Sequence, residues 1–225
     1  MSDISAIAAA YDQVAPWYDS WEWQTFWDRN EVPLVLAEVS RMGHAEHAVD
    51  LGMGTGRYVA ALRAVGIDTF GIDISQEMVA IAARKLKSRE HLLVGDLRSE
   101  ALAPQLFQLA IAARVFCHVK DLISAFRAAA NLVSQGGALI VTELDIDHEF
   151  ERTRIPTPAG KFEIDTWKRS SGEVIRAAES AGWRFDRMLQ ARASDCAWLP
   201  SIPKLSSVDR DSDRAIFNVF SFRRD

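Results

Sequence analysis

The spacing of apolar residues changes several times along this chain, and each change predicts an element. Residues 31–43 place Val32, Val35, Leu36 and Val39 at near-helical intervals, with Gly43 as a stop. From His47 the pattern becomes short continuous apolar runs, the mark of strands buried on both faces: "HAVDLG", "IDTFGIDI", "HLLVGD", "FQLAIAA" and "ALIVTELDI". Amphipathic stretches separate them. One runs from Gly56 to about Gly66. A second runs from Ser75, a candidate N-cap, to about Lys87. A third runs from Asp121 to about Ser134 and stops at Gly136-Gly137. Strands alternating with helices predict βαβ units and a parallel sheet. Beyond it, "ERTRIPTPAGKF" reads as a loop or hairpin. Ser170 and Glu173 fit a capping box opening a helix that stops at Gly182, and "WRFDRMLQARA" and "RAIFNVFSF" read as strands.

The first 30 residues differ. Tyr11, Trp17, Tyr18, Trp21, Trp23, Phe26 and Trp27 crowd into them, with acidic residues between. Residues 1–43 are expected to form a helical, aromatic-rich lid, the alternative being an amphipathic helix packed on the sheet edge, and 44–225 the main domain. Tyr11, Trp17 and Trp21 are candidates for the wall of an acceptor pocket.

Composition narrows the class. With 225 residues, 48% hydrophobic and 25% charged, the chain has ordinary globular make-up. A formal charge of -5 argues against nucleic acid as a partner. No apolar run approaches the ~18 residues of a membrane span, and the opening residues lack a basic n-region. Cys117 and Cys196 make neither a metal-spaced pair nor a disulfide framework, so a reducing cytoplasm is the expected setting.

The chemistry concentrates in "VDLGMGTGRY". Glycines 52, 54 and 56 sit where a strand hands over to a helix, so backbone N–H groups are open to a ligand. A dinucleotide fingerprint needs G-x-G-x-x-G, and Arg57 stands where its last glycine belongs. Asp50 just ahead of the loop would repel a pyrophosphate and suits an ammonium or sulfonium charge. Asp73 closes the second strand, where a carboxylate accepts from both ribose hydroxyls. Asp96 closes the third, where one can accept from an adenine amino group while Leu97 covers the ring edge. His118 follows the fourth strand and is a candidate base. Glu143 and Asp145 are expected on one face of the fifth strand, touching substrate. The cluster Glu143, Asp145, Asp147, His148 and Glu149 reads as a solvated strand end, and no metal is expected.

Those motifs resemble the successive motifs of class I S-adenosylmethionine-dependent methyltransferases: "VDLGMGTGRY", "GIDIS", "VGDLR" and "LAIAARVFCHVKD…NLVSQGGALIVTELD". They are most similar to the small-molecule members related to quinone-biosynthesis methyltransferases. The likeness is specific over roughly 46–145, looser in "YDQVAPWYDSW" and weakest after 146. It implies an α/β fold, a Rossmann-like doubly wound sheet of about seven strands with the last antiparallel and helices on both faces. It implies S-adenosylmethionine as cofactor. Asp50, Gly52, Gly54 and Gly56 would lie around its methionine end, Asp73 and Ile74 at ribose and adenine, Asp96 and Leu97 at adenine, and Ala113 or Arg114 near the sulfonium. Tyr11 or Tyr18 would reach its carboxylate. The implied reaction is methyl transfer to an O, N or C atom of a small acceptor, in biosynthesis of a specialised or cofactor-type metabolite, by a monomer or homodimer. Two alternatives stay open: a non-methylating protein of the same fold, and a nicotinamide-dependent oxidoreductase, the latter disfavoured by Asp50 and Arg57.

Overall fold

A computed structural model describes residues 4–98, 106–147, 152–200, 202, 210 and 212–225. In chain order its elements are α1 (Ile4–Tyr18), α2 (Glu22–Met42), β1 (His47–Leu51), α3 (Arg57–Ala64), β2 (Asp68–Asp73), α4 (Gln76–Leu86), β3 (Leu92–Val94), β4 (Phe107–Ala113), α5 (Leu122–Leu132), β5 (Val133–Leu144), β6 (Arg152–Thr157), β7 (Gly160–Asp165), α6 (Ser171–Glu179), β8 (Trp183–Arg192) and β9 (Ala215–Arg224). Seven strands form one sheet in the order β3-β2-β1-β4-β5-β9-β8. Neighbours from β3 through β5 pair in parallel, and β9, the last strand, runs antiparallel between β5 and β8. The parallel part is what the apolar runs predict, and the seven-stranded doubly wound order with an antiparallel last strand is what the resemblance implies.

Burial explains the runs. Ala48, Val49 and Leu51 of β1 have no exposed surface, because helices cover both faces of the sheet. On one face α2 and α3 pack Phe26, Val35 and Leu62 against Ile140 and Phe217. On the other, α5 and α6 pack Phe126, Ala129, Val174 and Ala178 against Val141 and Phe222. Helix α1 belongs to neither layer. Its Val14 and Ala15 pack on Met78 of α4 and on Ile155 and Ile164 of the β6–β7 hairpin, so it roofs the carboxyl edge of the sheet.

The caps fall where expected: Ser75 accepts from Met78 N–H, Asp121 from Ser124 N–H, and Ser170 with Glu173 completes a reciprocal box. Of the segment read as a loop or hairpin, residues 152–162 contribute β6 and the start of β7, which pair as a hairpin. Two elements differ from the sequence reading. Helix α2 begins at Glu22, not 31, since Phe26 and Trp27 already face the sheet. Helix α5 ends at Leu132, and the glycine pair expected to stop it lies inside β5. There the β4–β5 register shifts. Gly136 takes φ +76°, and a Cβ on Gly137 would sit 2.8 Å from the Ser134 carbonyl oxygen, so glycines permit the irregularity.

Candidate active site

The glycine loop leaves β1 in a left-handed path. Gly52 has φ +71°, and a Cβ there would lie 2.3 Å from Val115 Cγ2, so a side chain has no room. The N–H groups of Gly52 and Met53 donate to the Ile72 carbonyl at 2.8 and 3.1 Å, pinning the loop to β2. Gly54 N–H donates to Asp73 Oδ2 and Ser75 N–H to Asp73 Oδ1, both at 2.8 Å. The Asp73 carboxyl is thus fixed in orientation while retaining lone pairs toward the cleft. Burial pushes its pKa up to about 6, against the pull of those N–H donors. Asp50 lies deeper, 1% exposed, and its Oδ2 is buried with no hydrogen-bond partner. Burial and then the neighbouring Asp73 push its pKa up to about 8. Asp96 follows β3 and accepts a guanidinium hydrogen bond from Arg98 at 2.8 Å and the Arg98 N–H at 2.9 Å. Partial burial opposes its ionisation, but Arg98 outweighs it and holds the carboxyl below its usual range.

A cleft of about 230 Å³ opens at this edge, under α1. On the same measure a single water needs roughly 10–15 Å³, so the space suits a molecule of cofactor size. Gly52, Gly54, Asp73, Ile74, Asp96, Leu97, Ala113 and Arg114 line it from the strand ends. Tyr11, Tyr18, Trp21, His118, Glu143 and Trp167 also line it. The structure thus brings together most of the residues singled out from sequence. Four it does not place on the wall. Trp17 turns outward and is 36% exposed. Asp145 is buried beside β9, accepting from Asn218 Nδ2 at 2.9 Å. Gly56 caps α3, with Ala82 and Leu86 of α4 3.2 Å from where its Cβ would be, so its task is helix packing. Asp50 sits beneath the loop. His148 and Glu149 lie outside the described residues.

Sequence reasoning missed a buried network behind the cleft. Glu31 of α2, with no exposed surface, accepts from Tyr58 Oη at 2.8 Å and Thr142 Oγ1 at 2.7 Å and pairs with the Arg114 guanidinium. That guanidinium also lies 4.3 Å over the Trp27 ring. Burial alone would pull the Arg114 pKa down, but Glu31 reverses this and holds it above its ordinary value. Arg114 has φ +52°, so a non-glycine residue is held in a left-handed turn at the cleft. The network anchors the β4 end, from which the chain continues into a 3-10 turn, Phe116–His118. Arg169 fixes that turn through the carbonyls of Phe116, Val119 and Lys120. Glu143, 8% exposed, has its pKa pushed up to about 8 by burial, against the pull of Arg169 and Arg114. Among the described residues no His, Cys, Asp and Glu group forms a metal cluster, and no helix is long and apolar enough to cross a membrane.

These features fit S-adenosylmethionine. The loop's own N–H groups at Gly52, Met53 and Gly54 are spent on Ile72 and Asp73, so the expectation that they stand open to a ligand does not hold, and the loop instead gives a bare backbone wall to the cleft. A pre-oriented Asp73 matches a pair of ribose hydroxyls. Comparison with known proteins agrees: residues 49–141 match the family model described as a methyltransferase domain. Over those residues, less than half of the chain, it is similar to the class I S-adenosylmethionine-dependent methyltransferases that its motifs resemble. Within that class it is similar to the quinone-biosynthesis enzymes. It is 26% identical over 157 residues to a ubiquinone biosynthesis O-methyltransferase of Methylococcus capsulatus, a match covering 60% of this chain and 66% of that one. The chain therefore spans just under two thirds of that relative's length. In structure it is similar to an S-adenosylmethionine-dependent methyltransferase of Mesorhizobium loti, with a TM-score of 0.65, 21% identity, and 85% and 96% of the two chains covered. It is also similar to the [4+2]-cyclase SpnF, with a TM-score of 0.70, 20% identity, and 97% and 95% covered.

Proposed function

We propose that this chain transfers a methyl group from S-adenosylmethionine to a small-molecule acceptor, in the biosynthesis of a specialised or cofactor-type metabolite. One observation carries the reading. A single cleft is lined both by a pre-oriented Asp73 with Gly52 and Gly54 of the glycine loop and by aromatic and titratable side chains, Tyr11, Tyr18, Trp21 and Glu143. Asp73 would accept from the ribose hydroxyls, Ile74 and Leu97 would cover the adenine, Asp96 its amino group, and Tyr18 would reach the carboxylate end. Tyr11, Trp21 and Glu143 would meet the acceptor. The bound cofactor supplies an electrophilic methyl group. The protein supplies alignment and a water-poor setting for an in-line displacement. We assign the lid role to α1 alone, since its inner residues line the cleft while α2 packs on the sheet.

The likeness to a cyclase supports a second reading, since one fold hosts several chemistries. Incubation with S-adenosylmethionine and a panel of small phenols, quinols and amines, scored for S-adenosylhomocysteine by mass spectrometry, separates the two. Methyl transfer predicts S-adenosylhomocysteine in step with a methylated acceptor. Tight cofactor binding with no such product across the panel would favour the non-methylating reading. Titration with NADH should give no binding.

A further inference from the structure

Tyr11 stands on α1 and His118 in the turn after β4, yet the phenol oxygen lies 2.7 Å from His118 Nε2. The other ring nitrogen, Nδ1, lies 3.0 Å from the carbonyl oxygen of Asp165, at the end of β7. A carbonyl oxygen only accepts, so Nδ1 carries the hydrogen and Nε2 is a lone pair receiving the Tyr11 hydroxyl. Burial lowers the His118 pKa, which keeps the ring neutral near pH 7. The basic nitrogen is therefore already occupied. A molecule in the cleft would meet the Tyr11 oxygen, which keeps lone pairs of its own, rather than the imidazole.

The rings meet edge to face, 5.4 Å between centroids at 82°, and Tyr18 packs on Tyr11 from one helix turn pair further on. The ionisable groups facing Tyr11 are Tyr18, Cys117, Asp73 and Arg114. Burial first, then the first three of these, hold its pKa well above the ordinary tyrosine value, with Arg114 opposing. Tyr11 is thus a poor base alone and needs His118 to take its proton. Its place depends on α1, seated by Asp12 on Ser75 Oγ at 2.6 Å and by Asp19 on Thr55 Oγ1 at 2.6 Å and Lys85 Nζ at 2.8 Å.

We propose that Tyr11 and His118 form a proton relay for an acceptor hydroxyl, with the Tyr11 oxygen touching the acceptor and His118 a positioning residue that acts through it. The relay rests on the methyl-transfer reading. In the step, the acceptor O–H bond breaks and its proton bonds to Tyr11 Oη. The Tyr11 O–H bond breaks and that proton bonds to His118 Nε2. The acceptor oxygen keeps the electron pair of its broken bond for the incoming carbon, and the imidazole gains the positive charge. Nδ1–H stays on the Asp165 carbonyl throughout, and the relay exists only while α1 is seated.

The test uses the full chain and three variants, Tyr11→Phe, His118→Gln and the double variant, with S-adenosylhomocysteine as binding probe and phenol as acceptor probe. Nitrogen-15 NMR of the imidazoles should show one ring, absent in His118→Gln, with hydrogen on Nδ1 and an accepting Nε2 whose resonance moves in Tyr11→Phe. Wild-type kcat should rise with pH through one ionisation below the usual histidine range. Each single variant should lose that limb and roughly 100- to 10,000-fold in kcat, and the double variant should fall no further. Affinity for S-adenosylhomocysteine should hold in all three. Retention of the limb in Tyr11→Phe, additive losses in the double variant, or no methylation of phenol by a wild type that binds S-adenosylhomocysteine would overturn the relay. Failure to bind S-adenosylhomocysteine at all would instead overturn the methyltransferase reading.

Discussion

Replacing Glu31 tests whether the cleft is held open from behind by one buried charge pair. Glu31 is fully buried and serves three partners: the Arg114 guanidinium, Tyr58 Oη and Thr142 Oγ1. In Glu31→Leu the guanidinium stays buried without a counter-charge, which costs about 3–5 kcal/mol. Each hydroxyl left without an acceptor adds about 1–3 kcal/mol, reduced where it can turn to another oxygen. The single variant should therefore lose about 5 kcal/mol or more, against the 5–15 kcal/mol typical of whole domains. Arg114→Met alone should cost about 3–5 kcal/mol, because it strands the Glu31 carboxylate. In the double variant the two stranded charges vanish together, so its cost should undercut the sum of the singles by at least about 2 kcal/mol. Urea unfolding followed by tryptophan fluorescence and far-UV circular dichroism measures all three. Losses that add to within about 0.5 kcal/mol would show that the two side chains do not depend on each other.

Glu143 gives a pH test. Its folded pKa, about 8, is raised above the unfolded value of 4.5, so its contribution is fully present below pH 4.5 and is lost as pH rises through 8. Wild type should lose about 4–5 kcal/mol relative to Glu143→Gln between those limits, and an unchanged difference at pH 5 and pH 8 would refute the burial argument. Gly52→Ala should both destabilise the fold and weaken S-adenosylhomocysteine binding at least tenfold, because the Cβ overlaps Val115 at a left-handed φ; calorimetry with normal affinity would contradict this. Removing residues 1–20 should leave a folded protein that binds cofactor but has no turnover, whereas removal through 27 also strips Phe26 and Trp27 from the core and should unfold it. Circular dichroism of both truncations checks the division.

The sheet was legible because strands buried on both faces cannot alternate polar and apolar residues, so β1, β2, β4 and β5 stand out as runs. The glycine loop was legible because glycines at every second position, followed by an acid that closes β2 and another just past β3, have few structural excuses. What lay beyond was a matter of facing and of distance. Glu143 and Asp145 share a strand face only while the strand lasts. It ends at Leu144, and Asp145 turns to Asn218. Tyr11, Val14, Ala15 and Tyr18 recur at helical spacing on the inner face of α1, and Trp17 falls off it. Glu31 and Glu38 did carry a signal, two carboxylates seven apart in the stripe that holds Val35 and Val39, and such buried acids require partners. Their partners could not be read, since Arg114 is 83 residues from Glu31 and Tyr11 is 107 from His118.

The claim that this cleft holds S-adenosylmethionine is tested most directly by calorimetric titration of S-adenosylhomocysteine into the wild type and into Asp73→Ala. The carboxylate that would accept from the ribose hydroxyls is removed along with the clasp between Gly54 and Ser75, and one hydrogen bond to a charged acceptor is worth about 1.5–3 kcal/mol, so affinity should fall by at least about 1.5 kcal/mol, roughly 10-fold or more. The account predicts one site per chain in the wild type and that loss in a variant that remains folded. Absence of binding to the wild type, or equal affinity in a folded Asp73→Ala protein, would contradict it.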